Sequence, residues 1–154
     1  MPCAAAVAAQ DEADAAQARL DAINAELDER RGPLFAAQSQ FANDQNVRGG
    51  AQNAQGAARY ELDRASEALV AAQAGGDAEQ IAAAQDRVDR ARAELDRTTR
   101  GFEESEGPAR ASWARLAELQ PRYDELQRAT WGAQMDVYAT QDRAARVVCE
   151  TLAP

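Results

Sequence analysis

The sequence predicts an all-α fold, an elongated up-down helical bundle or coiled coil with a central antiparallel αα-hairpin. Alanine supplies 39 of the 154 residues, and alanine, glutamate, glutamine, arginine and leucine, all strong helix formers, fill nearly every long segment. Larger apolar residues recur at alternating steps of three and four, which is the spacing of a heptad seam. Leu, Ile, Val and Phe together number only 22, so each seam is narrow.

The first predicted helix covers residues 2–31 and resumes over residues 34–42, because the Gly32-Pro33 pair is expected to break or kink it. Residues 43–56 have no apolar periodicity and are rich in Asn, Gln and Gly. They therefore predict a flexible loop, with a partner-contacting loop as the alternative. The seam of the first helix consists of Ala6, Ala9, Ala13, Ala16, Leu20, Ile23 and Leu27.

The central hairpin is predicted from two seamed helices over residues 57–74 and 78–101. The Gly75-Gly76 pair ends the first of these helices, and Asp77 can cap the second. Two seamed helices joined by so short a turn form an antiparallel αα-hairpin.

The last predicted helix covers residues 109–152 and follows a second connector over residues 101–108. Pro121 lies inside its seam and is expected to kink the helix, since the heptad phase is the same on both sides. All the helices together are predicted to form a single elongated domain, residues 1–154.

Residues that several classes of catalytic and metal site need are missing. The chain has no histidine, which excludes Ser-His-Asp and Cys-His relays and the Glu-x-x-His motif of di-iron bundles. Two cysteines cannot complete a structural zinc site without histidine, and no phosphate-binding glycine motif is present. Glu103, Glu104 and Glu106 are too closely spaced for a calcium loop and predict a solvated acidic turn. We expect no enzyme activity, no cofactor and no metal.

Charge and hydropathy limit the partners. A net charge of -9 disfavours nucleic acid and anionic membranes, because both need a basic face. No apolar run is long enough to span a membrane, and the N-terminus lacks the basic segment of a signal peptide. A narrow seam buries little apolar area, so the predicted partners are proteins, with the chain a homo-oligomer within a larger assembly.

Two groups of residues are candidates for functional contacts. In an up-down-up-down arrangement both termini lie at one end, so Cys3 and Cys149 can bridge the long helices or cross-link subunits; two unrelated buried thiols are the alternative. Trp and Tyr are enriched at interface hot spots, although core packing is the default for them here. The candidates for a partner interface are Ala6, Ala9, Ala13, Ala16, Trp113, Trp131 and Tyr138.

These observations favour a non-enzymatic structural subunit of a larger helical assembly. Its specific version is a virion component of a bacteriophage, because the chain is small, has no catalytic motif, has seams that need partners and has cysteines that suit oxidising surroundings. A virion or extracellular location is therefore favoured over the cytoplasm. The alternative is a soluble coiled-coil adaptor or regulator that binds a single protein partner.

Overall fold

Two helices make up nearly all of residues 3–147, the part of the chain that the computed structural model describes. Helix α1 spans Ala4–Gly75 (72 residues) and helix α2 spans Ala78–Arg146 (69 residues). No strand occurs in this part of the chain, so the prediction of an all-α fold is confirmed. The predicted end of the last helix at residue 152 lies outside the described residues.

The chain packs as two compact units, although the sequence predicted one domain. Unit 2 is Ala37–Leu116, and unit 1 contains the described residues of Met1–Ala36 and Ala117–Pro154. Each unit takes one segment from α1 and one from α2. We describe each unit by itself.

The turn between the helices belongs to unit 2 and confirms the predicted hairpin. Gly76 has a φ of 75°, in the left-handed region that favours glycine. Its N–H donates a hydrogen bond to the carbonyl of Ala72 at 3.1 Å, which closes the last turn of α1. Asp77 Oδ1 accepts a hydrogen bond from the backbone N–H of Glu79 at 2.9 Å and so caps the start of α2.

Contacts across unit 2 run in antiparallel order. Gln55 Nε2 donates a hydrogen bond to Thr99 Oγ1 at 3.1 Å. Arg48, one heptad earlier on α1, forms an ion pair with Glu106, one heptad later on α2, at 3.6 Å. Residues earlier in α1 therefore face residues later in α2, as in an antiparallel coiled coil.

Unit 1 has the same antiparallel order. Glu26 pairs with Arg122 at 2.9 Å, and Glu12 pairs with Arg143 at 2.7 Å. The core of this unit includes a cluster of Ala16, Leu20 and Val137 from the two helices.

The seam of each helix is one unbroken heptad. Buried and half-buried positions alternate by three and four from Ala6 to Ala72 on α1, and from Ile81 to Ala144 on α2. The predicted up-down-up-down order of four helical stretches is therefore wrong. Only one reversal, at the Gly76 turn, occurs between residues 3 and 147.

The loop predicted over residues 43–56 is also wrong, because α1 continues through this segment. Its seam positions are Asp44, Arg48, Ala51 and Gln55, of which Asp44 is buried and the others half-buried. None of the four is a large apolar residue, so the hydrophobic pattern gives no signal here. The heptad phase nevertheless continues without a break.

Side chains of this polar seam have hydrogen-bond or cation–π partners. Asp44 Oδ1 accepts a hydrogen bond from Gln40 Nε2 at 2.8 Å. The guanidinium of Arg48 lies 5.4 Å from the centre of the Phe102 ring, a distance typical of a cation–π contact. Such contacts compensate for removing polar groups from water.

The connector predicted over residues 101–108 is wrong for the same reason, since α2 runs through it. Its seam includes Ser105, whose hydroxyl donates a hydrogen bond to the carbonyl of Phe102 at 2.6 Å. A serine that bonds back to its own helix can be buried without a partner from the other helix. The acidic cluster around Glu106 lies on this helix and not in a turn.

Neither Gly32-Pro33 nor Pro121 ends a helix. Pro33, Pro108 and Pro121 all lie within helices, and all three are exposed. A proline lacks the N–H that would bond the carbonyl one turn earlier. On the exposed face that carbonyl can bond water, so the helix continues and the seam keeps its phase.

Substitution of Gly50 tests whether α1 continues through residues 43–56. A Cβ added to Gly50 meets no atom within 4 Å, and alanine is favoured over glycine inside a helix by about 1 kcal/mol. Gly50→Ala should therefore raise the free energy of unfolding in urea by about 0.5–1 kcal/mol. The control, Gly76→Ala, should lower it, because φ at Gly76 is 75°. A neutral or destabilising Gly50→Ala would contradict a helix here.

Candidate partner-binding surface

Four predicted interface residues lie on the seam of α1 in unit 1. Ala16 is 1% exposed and packs with Leu20 and Val137 in the core of unit 1. This part of the seam therefore packs within unit 1, and its contact with another molecule stays a prediction. The four residues, half-buried in the first case and buried in the others, are Ala6, Ala9, Ala13 and Ala16.

The two aromatic candidates of unit 1 lie outside the seam. Trp131 is 69% exposed and Tyr138 is 56% exposed. Met135, which is 40% exposed, lies between them, so the three residues follow the i, i+4, i+7 spacing of one helix face. We call these three residues the aromatic ridge. The default expectation of core packing is wrong for Trp131 and Tyr138.

Trp113 has a more structural role in unit 2. Its ring packs against Phe41 with the ring centroids 5.4 Å apart and the planes tilted by 48°. Phe41 is a seam residue, so Trp113 covers the edge of the seam while 57% of its own surface stays exposed. It is a weaker interface candidate than Trp131, because part of its surface is already used within the unit.

Sequence reasoning missed several exposed apolar residues, namely Met135, Phe35 and Val70. Each lies on a helix whose heptad pattern is continuous. Its position outside the seam therefore follows from the heptad phase. Phe35, for example, comes one position after the buried seam residue Leu34. The signal was therefore present in the sequence, since the predicted seams already have the phase that the structure shows.

An open apolar groove lies on unit 2. We call it the alanine groove, because alanines from both helices form most of its lining. Three charged residues lie around these alanines. The lining residues are Ala54, Ala57, Ala58, Glu61, Arg90, Ala91 and Glu94.

A cluster of charges joins the two helices of unit 1. Arg122 donates hydrogen bonds to both carboxylate oxygens of Glu26, from Nε at 3.0 Å and from Nη2 at 2.9 Å. This two-point contact is the strongest geometry for an arginine and a carboxylate. Arg30 Nε donates to the same carboxylate at 2.9 Å. Hydrogen bonds from Arg122, and secondarily from Arg30, lower the pKa of Glu26.

The described residues offer no built site for metal chemistry. Among them, no group of three or more His, Cys, Asp or Glu side chains could hold a metal ion. Neither α1 nor α2, over these residues, has the run of apolar side chains that crossing a bilayer requires.

Of the two cysteines predicted as disulfide candidates, one lies in the described part of the chain. Cys3 is described and is not a free thiol. Cys149 lies outside the described residues, so the pairing of Cys3 with Cys149 stays a prediction.

The described helices and surfaces define the class of protein as an antiparallel pairing of heptad helices. Its seams are rich in alanine, and large aromatic side chains lie outside them. A scan against protein-family models and searches of curated proteins and of solved structures find no match to this chain.

The Glu26 contacts predict a pH dependence of stability. Because the folded-state pKa of Glu26 lies below its ordinary value of 4.5, its carboxylate stabilises the fold above that value. This contribution is lost as the pH falls through the lower, folded-state pKa. Glu26→Gln should therefore be less stable than the parent chain at about pH 7, and the difference should shrink towards about pH 3. Urea unfolding at both pH values measures it.

Glu29→Gln is the control for Glu26→Gln, since Glu29 is on the same helix and exposed. It should change stability little at either pH. An effect of Glu26→Gln that stays equal at both pH values would contradict a role for the ionised carboxylate.

Proposed function

We propose that this chain is a non-enzymatic structural subunit of a larger helical protein assembly. The observation that carries the proposal is the position of the largest side chains. The ridge residues Trp131, Met135 and Tyr138 lie on the outside of unit 1, while alanine fills much of the inside. Trp and Tyr are enriched at interface hot spots, and contiguous apolar patches on a surface are typical of interaction sites.

The thin seam supports the same proposal. Eight of the fourteen buried apolar residues in the described part of the chain are alanine. Each alanine removes much less apolar area from water than a leucine does, and the stabilisation scales with that area. Two helices held by such a seam gain stability from any further contact that covers apolar surface, as the subunits of an assembly do.

A bacteriophage virion is the setting we favour. Particles outside the cell are exposed to oxidising conditions, under which a disulfide persists. The competing proposal is a soluble coiled-coil adaptor that binds one partner through the same ridge. The two differ in whether the chain assembles with copies of itself.

The native mass separates these two functions. We expect sedimentation velocity over a range of concentrations to show a defined oligomer or growing filaments of the chain alone. A chain that stays monomeric at the highest concentration and forms a one-to-one complex with a single protein would support the adaptor and contradict the structural proposal.

We also propose that Cys3 and Cys149 form a disulfide within the chain. These are the only two cysteines, and Cys3 is not free. The ion pair between Glu12 and Arg143 supports the proposal, because it joins the two helices nine residues after Cys3 and six residues before Cys149 in the sequence.

Reduction should therefore destabilise the chain. A disulfide that closes so long a loop contributes about 4–5 kcal/mol in the chain-entropy model. We expect reductant to lower the midpoint of thermal unfolding of the parent chain but not of Cys3→Ser. On a non-reducing gel the parent should run as a compact monomer. A disulfide-linked dimer, or two titratable thiols in the native chain, would contradict the intrachain bridge.

A further inference from the structure

We infer that two copies of this chain pair through their aromatic ridges, with the two α2 helices antiparallel about a two-fold axis at Met135. The inference rests on the proposed function, and it names the partner and the geometry of one contact in the assembly. The ridge is Trp131, Met135 and Tyr138, all exposed. Its three residues belong to unit 1.

The ridge continues at each end into a charged residue. Arg128 lies three residues before Trp131, and Asp142 lies four residues after Tyr138. The five residues therefore keep steps of three and four along one face of the helix. All five are exposed, so the whole row is accessible to another helix.

The charges of this row are complementary to themselves in antiparallel order. Arg128 lies seven residues before Met135, and Asp142 lies seven residues after it. When a second copy runs in the opposite direction about Met135, Arg128 of each copy faces Asp142 of the other, and the two-fold axis makes this ion pair twice. A parallel pair would place equal charges side by side at both positions. Because like charges repel, the order of the charges selects the antiparallel arrangement.

Both charged groups can make this contact without losing the ones they have. Arg128 has no ion-pair partner among the described residues. Asp142 is paired with Arg146 on its own helix, but both contacts of Arg146 end on Asp142 Oδ1. A carboxylate accepts hydrogen bonds on both of its oxygens, so Oδ2 can accept one from Arg128 of the second copy.

Side-chain sizes around Met135 are complementary in the same way. Trp131 lies four residues before Met135, and the residue four positions after it is Ala139. Tyr138 lies three residues after Met135, and the residue three positions before it is Gly132. Antiparallel pairing therefore places each large ring opposite a small, exposed residue of the second copy. At the axis the two Met135 side chains meet, and their flexible thioethers can pack against each other and against the rings.

The resulting contact has the usual organisation of an interface, an apolar centre with a charged rim. From Arg128 to Asp142 it covers about 21 Å of helix. A two-fold contact closes on itself. Ridge pairing therefore gives a dimer, and other surfaces add such dimers to a larger assembly.

The test reverses the two charges one at a time. Arg128→Asp places a carboxylate opposite Asp142 of the second copy, and Asp142→Arg places a guanidinium opposite Arg128. Each variant alone should self-associate at least about ten-fold more weakly than the parent in sedimentation velocity. Mixed one to one, the two variants should form a heterodimer at about parental affinity, because each reversed charge again faces its opposite.

A third variant, Trp131→Ala, tests the apolar part of the contact and should weaken self-association at least about thirty-fold. Arg87→Asp is the control for the charge reversals, since Arg87 is exposed on unit 2 and its reversal changes the net charge by the same amount as Arg128→Asp. Phe35→Ala is the control for Trp131→Ala, since Phe35 is an aromatic residue with 70% exposure. Both controls should assemble like the parent.

The outcomes separate this contact from the broader function. Parental self-association of either charge variant, or a mixture that stays monomeric, overturns ridge pairing, while an assembling parent chain still supports the structural function. A parent chain that is itself monomeric at every concentration overturns both. Circular dichroism spectra like that of the parent confirm that the variants are folded.

Discussion

The unbroken heptad phase of the two helices is the constraint on which the rest of the structure depends. On α1 it runs from Ala6 to Ala72, and on α2 from Ile81 to Ala144. Every third or fourth residue faces the other helix. The heptad position of a residue, and not its type, therefore decides whether it is buried. The same heptad phase buries Asp44 and leaves Trp131 exposed.

Burial of small and polar residues has a consequence for how the two helices recognise each other. Alanine side chains are nearly alike, so an alanine seam alone distinguishes poorly between one register and another. Hydrogen bonds between the helices, which depend on direction, distinguish one register from another. In unit 1 the two-point hydrogen bond from Arg122 to Glu26 is lost if one helix slides by a single turn. In unit 2 the hydrogen bond from Gln55 to Thr99 has the same effect.

Much of the fold followed from the sequence, because its signals are local. The Gly-Gly turn and the Asp77 cap depend on a few adjacent residues, and the apolar seams on either side of the turn are regular. The continuity of α1 through residues 43–56 did not follow, since its seam there carries Asp44, Arg48 and Gln55. Their burial depends on partners such as Gln40 and Glu106, which composition does not reveal. The ridge was only partly predicted, because Trp131 and Tyr138 were interface candidates and Met135 was not.

Large residues lie outside the seam and small residues lie inside it. This placement affects the stability of the chain and therefore its function. A two-helix protein that needed to be stable alone would place its tryptophans in the seam, where each would bury the most apolar area. Here Trp131 stands outside, while Ala16 and Val137 pack inside. The alanine seam allows the two helices to approach closely, while Trp131 and Tyr138 stay exposed. The apolar area of these exposed side chains therefore does not stabilise the packing of the two helices. This arrangement suits a subunit whose folded state is reinforced by its neighbours.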